Sequence, residues 1–158
     1  AERFAMAQIG TLDAEGRVRD TSHVRFDAEG VGRLRGLEAG DRLVVWVAPD
    51  REGRSFLARD VRPGTEVAVV PKAGVTIKGR MTAPAGATEV HVFAYMVDLR
   101  IGVQATRAAD GTFEFRGLPE GTTWQLSGNG QVNGRWIQTQ GPVVAAGGSA
   151  DFDLKESR

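Results

Sequence analysis

Apolar and polar residues alternate along most of this chain, most clearly in residues 109–126. Phe113 and Phe115 alternate with charged residues, so a strand here has one apolar face and one charged face. A turn-forming Asp-Gly pair precedes this run. A loop with glycine at each end, residues 117–121, follows it, and the alternation resumes at Trp124. No stretch of about ten residues keeps a helical period. The pattern predicts an all-β protein of short strands joined by tight turns.

The same pattern occurs twice. Residues 29–40 align without a gap with residues 110–121, and Gly53 matches Gly134 at the same offset of about 81 residues. Leu34 then takes the place of Phe115. Turn residues that coincide by chance would not stay in register over such a length, so the chain contains an internal repeat.

The repeated motif D-G-x-F-x-F-x-G-L-x-x-G resembles the carboxypeptidase regulatory-like domain, and the closing runs of the two copies, residues 63–69 and 147–154, fit it too. This family has a transthyretin-like, or prealbumin-like, fold, and collagen-adhesin B-type domains share much of the motif. The resemblance implies two tandem Greek-key β-sandwiches with an Ig-like architecture, residues 1–72 and 73–158. Such domains often accompany catalytic domains without taking part in the chemistry.

The first copy departs from the family pattern at its start. Residues 75–81 form the predicted opening strand of the second copy, whereas residues 3–10 of the first copy match the strand after it. Either the chain was cut from a longer one, or the first domain is a reduced variant without an opening strand. A missing strand would leave a sheet edge with which a partner could pair.

Composition narrows the function classes. The formal net charge is zero, which argues against binding to nucleic acid by attraction to its phosphates. There is no cysteine and no apolar run long enough to cross a bilayer, so we expect neither disulfides nor membrane insertion. The abundance of Arg, Ala, Gly and Val is typical of a bacterial genome of high GC content. We expect a secreted, periplasmic or cell-surface bacterial protein.

The candidates for chemistry are few. The two histidines, His23 and His91, fall at unrelated positions of the two copies, and no hydrolase, zinc or phosphate-binding motif accompanies them. We therefore predict a non-enzymatic protein with no catalytic residue, cofactor or metal. The acidic turns at residues 13–16 and 27–30 lack the further oxygens of a calcium loop and are interpreted as hairpin turns.

An internal isopeptide bond, which the collagen-adhesin resemblance brings to mind, would need a lysine on the first strand and an acid on the last. Lys78, Asp151 and Asp153 have suitable strand positions. Side chains alternate between the two faces of a strand, and the apolar neighbours of these three residues face the core. All three therefore point away from the core, and we do not expect the bond.

A polar strand face is the sharpest candidate binding site. If Ile137 points into the core, then Trp136, Gln138 and Gln140 share the opposite face. An exposed aromatic ring can stack on a sugar, and neighbouring amides can bond its hydroxyls. The loop residues Asn129 and Asn133 would extend this site. The alternative is a solvated strand whose tryptophan packs against another domain.

A second candidate surface lies on the most apolar predicted strand, residues 42–48. Leu43, Val45 and Val47 share one face by parity, which leaves Trp46 and Val44 on the other. Large apolar groups on an outer face often form an interface, and we interpret these two as an interdomain contact.

Three functions remain open. The first is a non-catalytic structural, adhesion or protein-interaction module of a larger protein, whose partners are other domains of that chain or another protein. The second is a carbohydrate-binding module for polysaccharide, and the third an accessory domain of a neighbouring enzyme. A solvent-facing Trp136 would favour the second, and burial of Trp46 and Trp136 between the copies would favour the first.

Overall fold

The structure, a computed structural model, describes residues 6–155, apart from the side chain of Thr106. Within these residues the chain is all-β and contains no helix. It divides into two compact units, residues 1–73 (unit 1) and 74–158 (unit 2). The predicted fold class is confirmed at this level. Residues 3–5 of the first predicted strand lie outside the described part.

Unit 1 is built on one antiparallel sheet. Its five strands lie in the order β2-β1-β3-β4-β5. Their bounds are β1 Met6–Leu12, β2 Val18–Arg25, β3 Arg42–Val47, β4 Arg54–Val61 and β5 Lys72–Ala73. The last of these spans the predicted boundary between the two copies, and it pairs with the start of β4.

One face of this sheet forms the core of unit 1. Ala7, Val45 and Val47 are buried there, and the partly buried Ile9 and Phe56 pack against them. Parity along β3 predicted Val45 and Val47 on the core face, and the structure confirms it.

Two strands predicted for unit 1 do not form. Residues 31–35, the counterparts of the Phe113–Phe115 strand, and residues 66–70, the predicted closing strand, follow irregular paths. Within the described residues unit 1 is therefore a single sheet with irregular segments beside it, and its predicted β-sandwich arrangement is not confirmed. Alternation makes a segment capable of strand formation, but a strand also needs a neighbour to receive its backbone hydrogen bonds.

Unit 2 contains two four-stranded sheets, in the orders β13-β6-β10-β9 and β12-β11-β7-β8. All their strand pairs are antiparallel except the parallel pair of β13 and β6. The bounds are β6 Val75–Thr82, β7 Thr88–Met96, β8 Gly102–Gln104, β9 Thr106–Arg107, β10 Thr112–Leu118, β11 Thr123–Val132, β12 Arg135–Ala145 and β13 Phe152–Asp153.

The two sheets of unit 2 pack face to face in a sandwich-like manner. Met81 on β6 lies so close to Gly128 on β11 that a Cβ there would be 2.1 Å from its sulfur. Phe113, Trp124 and Leu126 are buried as the alternation predicted, and Leu118 is fully buried at the end of β10. Close packing over glycine brings the sheets together at this point.

The internal repeat is visible in the backbone. In the sheet of unit 1 four strands lie in the order β4-β3-β1-β2. Their counterparts in the repeat lie in the same order in unit 2, as β12-β11-β7-β8. Gly36 and Gly117, which correspond in the two copies, have φ angles of 78° and 73°. This region of φ favours glycine, so the sequence match reflects the same turn in both units.

Both acidic turns of unit 1 are tight turns, and the one at residues 13–16 joins β1 to β2 in a hairpin, as predicted. In a third such turn, between β3 and β4, Asp50 Oδ1 accepts hydrogen bonds from the backbone N–H groups of Glu52 and Arg54, at 3.0 and 2.8 Å. Asp13 and Asp27 accept equivalent bonds in their own turns. Carboxylates committed to backbone N–H groups in this way stabilise the turn.

We predict that the Asp50 turn loses stability in acid. The hydrogen bond from the Arg54 N–H, together with the Arg54 guanidinium, lowers the pKa of Asp50 below its usual value. The turn therefore gains stability from the ionised carboxylate above about pH 4 and loses it as the pH falls through the lowered pKa. Thermal unfolding of Asp50→Asn and the unchanged protein should differ at pH 7 and converge towards pH 2. A difference that stays constant with pH would contradict this.

Candidate binding site

The candidate residues on β12 point to the solvent, as the alternation along the strand predicted. Trp136 is 58% exposed, and Gln138 and Gln140 are also exposed, whereas Ile137 between them is buried. The apolar residue packs into the core, so the strand turns its indole and amides to the solvent.

The sheet register brings further residues to this surface. Asn129 on β11 lies opposite Gln138 on β12 and opposite His91 on β7. Residues directly opposite each other on antiparallel strands share a face. Continued across the sheet, this register defines a surface that we call the amide face, made of Trp136, Gln138, Gln140, Gln125, Ser127, Asn129, Gln131, His91, Phe93, Tyr95 and Gln104.

A row of aromatic rings occupies β7. Phe93 and Tyr95 stack with ring centroids 6.4 Å apart, and His91 lies 6.2 Å from Phe93. Tyr95 is 40% exposed. Tyr95 lies opposite Gln125 of β11, and Trp136 lies opposite Gln131 of the same strand. Six residues separate these two glutamines, so the exposed rings of Tyr95 and Trp136 are about 20 Å apart along the strands.

Hydrogen bonds between side chains hold most of the amides in place. Gln140 Nε2 donates to Gln125 Oε1 at 3.2 Å. Gln131 Nε2 donates to Glu89 Oε2 at 3.0 Å, at the margin of the face. Each amide is thereby oriented with part of its hydrogen-bonding capacity left over.

The Gln104 amide and His91 are joined in the same way. Gln104 Nε2 lies 3.0 Å from His91 Nδ1. When the amide donates, the imidazole is neutral and carries its proton on Nε2.

Asn129 stands at the centre of the face and differs from the other amides. Its Oδ1 is buried and has no hydrogen-bond partner within residues 6–155. Buried acceptors are nearly always satisfied, so an unpaired one calls for an explanation. A hydroxyl group brought to this point, with rotation of the amide, would supply the missing donor.

Asn133 does not belong to the amide face. It occupies the turn between β11 and β12 with a φ of 50°, followed by Gly134 with a φ of 76°. Two successive positive φ angles are typical of an Asn-Gly hairpin turn. Its side chain is exposed at the Trp136 end of the sheet, and its conformation is explained by the turn.

The second candidate surface has no exposed ring. Trp46 and Val44 are 2% and 1% exposed, while the neighbouring Val45 and Val47 are buried as well. The strand β3 is thus covered on both faces, although an antiparallel sheet can leave one face to water. The proposed interdomain role of the two residues stays a prediction.

The residues considered for an isopeptide bond are engaged elsewhere. Lys78 is paired with Glu114, at 3.8 Å, and Asp153 with Lys155, at 3.1 Å. Asp151 accepts a hydrogen bond from the backbone N–H of Arg80.

Other classes of site were also sought. In the described part of the chain, no group of three or more His, Asp or Glu side chains could hold a metal ion. The same residues include no helix long and apolar enough to cross a membrane.

Comparison with known proteins gives no family. No protein-family model matches the chain, and no curated protein matches its sequence. The resemblance to carboxypeptidase regulatory-like domains therefore rests on the motif alone, and the functional argument rests on the amide face.

Sequence reasoning missed the β7 half of this face. Its signal is the alternation His91-x-Phe93-x-Tyr95, in which three rings fall on one side of a strand. Parity alone could not say whether that side faced the core or the solvent. The burial of Val92, Ala94 and Met96 on the opposite side decides it.

Proposed function

We propose that unit 2 is a non-catalytic carbohydrate-binding module that holds a neutral polysaccharide on the amide face. The observation that carries this proposal is that one face of a sheet holds aromatic rings at both ends, with a row of amides between them. Trp136 faces the solvent at one end, and the stacked Phe93 and Tyr95 lie towards the other. Aromatic rings offer flat apolar platforms, and amides offer both donors and acceptors for hydroxyl groups.

The spacing of the rings favours a polymer over a single sugar. The platforms lie about 20 Å apart along the strands, with Asn129 and the glutamines between them. A chain of several sugar units could reach both platforms at once, whereas a monosaccharide would contact only one. Affinity should therefore rise with oligosaccharide length until both ends of the face are occupied.

The charge of the surface favours a neutral ligand. Its side chains are amides, a hydroxyl and aromatic rings, and Glu89 at the margin is engaged by Gln131. Recognition of nucleic acid would need a basic groove to attract phosphates. The neutral face is better suited to uncharged hydroxyl groups.

The internal repeat leads us to a proposal on fold and context. We infer that unit 2 is a transthyretin-like Greek-key sandwich and that unit 1 is a reduced copy of it. In this view the chain belongs to a secreted or cell-envelope bacterial protein, in which the module anchors neighbouring domains, including any enzyme beside it, to a polysaccharide. Fold does not determine function, so this context is secondary to the amide face.

We predict that Trp136→Ala weakens polysaccharide binding by about tenfold or more, because a few aromatic contacts carry much of the energy of a binding site. Tyr95→Ala should weaken it at the other end. Binding of soluble glucans, xylans and mannans by the unchanged protein can be followed by tryptophan fluorescence, since Trp46 and Trp124 are buried and Trp136 reports on the face. Isothermal titration calorimetry, which needs no tryptophan, compares the variants.

The matched control is Arg116→Ala, an exposed change on β10 of the other sheet, which should leave binding unchanged. Saturable binding in which Trp136→Ala and Arg116→Ala behave alike would argue against the amide face. Absence of binding to every neutral polysaccharide would argue against the proposed function.

The second candidate is adhesion to a protein, which was the leading interpretation of the sequence. The observation that favours it is the exposed Val143, 56% exposed on β12 opposite Gln125 of the amide face. Aromatic residues beside aliphatic ones are common in protein interfaces. Loss of a protein partner in Trp136→Ala, with no response to any polysaccharide, would support this candidate instead.

A further inference from the structure

Unit 1 contains a cavity of about 390 Å³ between the core face of its sheet and the two irregular segments that cover it. Its walls are largely apolar and include Ile9 and Val45 of the sheet, Leu34 and Leu37 of one segment, and Val67 of the other. The cavity is partly open to solvent and is much larger than one water molecule, which takes up about 30 Å³. It has room for several side chains of a bound strand.

Unit 2 shows what occupies the corresponding place in the other copy. There β6 lies between β13 and β10, parallel to the first and antiparallel to the second. Its apolar residues Ile77 and Met81 are fully buried. The segments of unit 1 that match β10 and β13 in the repeat are residues 31–37 and 66–70, and both of them line the cavity.

The described part of unit 1 has no strand equivalent to β6. In unit 2 the matching segments β10 and β13 both pair with β6. Residues 31–35 and 66–70 have no such neighbour in the described part of unit 1, which explains why they are not strands. The burial of these segments alternates, with Gly32 and Leu34 half-buried and Arg33 and Arg35 exposed. They keep the alternating burial of strands, although the described part of unit 1 provides no central strand for them to pair with.

We propose that unit 1 binds an extended strand of about eight residues in this slot, antiparallel to residues 31–37 and parallel to residues 66–70. The register of β6 defines the strand chemistry. Apolar side chains at its first, third and seventh positions would fill the cavity, as Val75, Ile77 and Met81 do in unit 2.

Charge adds a requirement at the fourth position. In unit 2 that position is Lys78, which lies opposite Glu114 and pairs with it. The counterpart of Glu114 in unit 1 is Arg33, so the occupant should carry an acidic residue there. Opposite charges on facing residues stabilise a strand pair, and like charges destabilise it.

The proposal is tested with two labelled peptides and the whole chain. One peptide has the sequence of β6, and the other has glutamate in place of its lysine. The glutamate peptide should bind saturably by fluorescence anisotropy and about two- to fivefold more tightly than the lysine peptide. Amide signals in nuclear magnetic resonance spectra should shift at residues 31–37 and 66–70.

Two variants make the outcome decisive. Leu34→Lys places a charge in the slot and should reduce affinity by about tenfold or more, with circular dichroism confirming that the sheet remains. Arg33→Glu changes only an exposed side chain and should reverse the preference between the two peptides. This test does not depend on polysaccharide binding, because the amide face belongs to unit 2.

Four outcomes would overturn the proposal. Three are absence of saturable peptide binding, a peptide preference that Arg33→Glu leaves unchanged, and binding of an apolar dye to a cavity that rejects both peptides. The fourth is peptide shifts confined to unit 2, because the peptide would then be replacing β6 itself.

Discussion

Trp124→Ala is expected to lower the free energy of unfolding of unit 2 by about 3–5 kcal/mol, the range measured when a buried aromatic side chain is truncated. The indole is fully buried between the register partners Met96 and Val144. Its Nε1 donates a 2.7 Å hydrogen bond to Thr122 Oγ1, which itself donates to the carbonyl of Pro119. Truncation would leave both a cavity and a hydroxyl that has lost its donor.

The matched control is Trp136→Ala, the same substitution on the same sheet. Its ring is 58% exposed, so the free energy of unfolding should change by no more than about 0.5 kcal/mol. Urea denaturation followed by circular dichroism measures both changes without relying on tryptophan emission. Equal losses of stability in the two variants would show that Trp124 does not form the core.

Gly79→Ala is expected to destabilise unit 2 by about 1–3 kcal/mol or more, because overpacking forces atoms out of position. A Cβ at Gly79 would lie 1.8 Å from the carbonyl oxygen of Ala150 and 2.6 Å from Phe113 Cζ. The Ala150 backbone is bound to this strand by its own N–H, which donates to the carbonyl of Lys78 at 3.1 Å. It therefore cannot move away without disturbing the contact between β6 and the closing segment.

Gly40→Ala is the control for this prediction. No atom lies within 4 Å of a Cβ at Gly40, and its φ is not among the positive values. Alanine there should be neutral or should stabilise the protein by up to about 1 kcal/mol, since it restricts the unfolded chain. A Gly79→Ala protein as stable as Gly40→Ala would mean that β6 and residue 150 are not packed as described.

Local patterns in the sequence were enough to predict much of this protein. Alternation at Phe113 and Phe115 predicted a half-buried strand, and parity on β12 predicted the exposure of Trp136. The repeat predicted that the same turns recur, and Gly36 and Gly117 share a φ that favours glycine. These features depend on residues close together in the chain, so a single sequence contains the information.

Only the tertiary structure decided which strands pair and which faces meet. Pairing placed Asn129 between Gln138 and His91, which joins segments of the chain that no local pattern connects. Burial of β3 on both faces removed Trp46 from the surface, although strand parity had placed it on the outer face.

The clearest difference between the two copies has the same cause. Residues 31–37 and 112–118 have matching patterns, yet in the described part of the chain only the second segment is a strand, and only there does a strand like β6 lie beside it. The periodicity of a segment predicts which of its side chains share a face, and it depends on that segment alone. A β-ladder also requires a second strand, which here is distant in sequence. The sequence by itself therefore determined the strand candidates and turns, and the available partners decided which candidates became sheets.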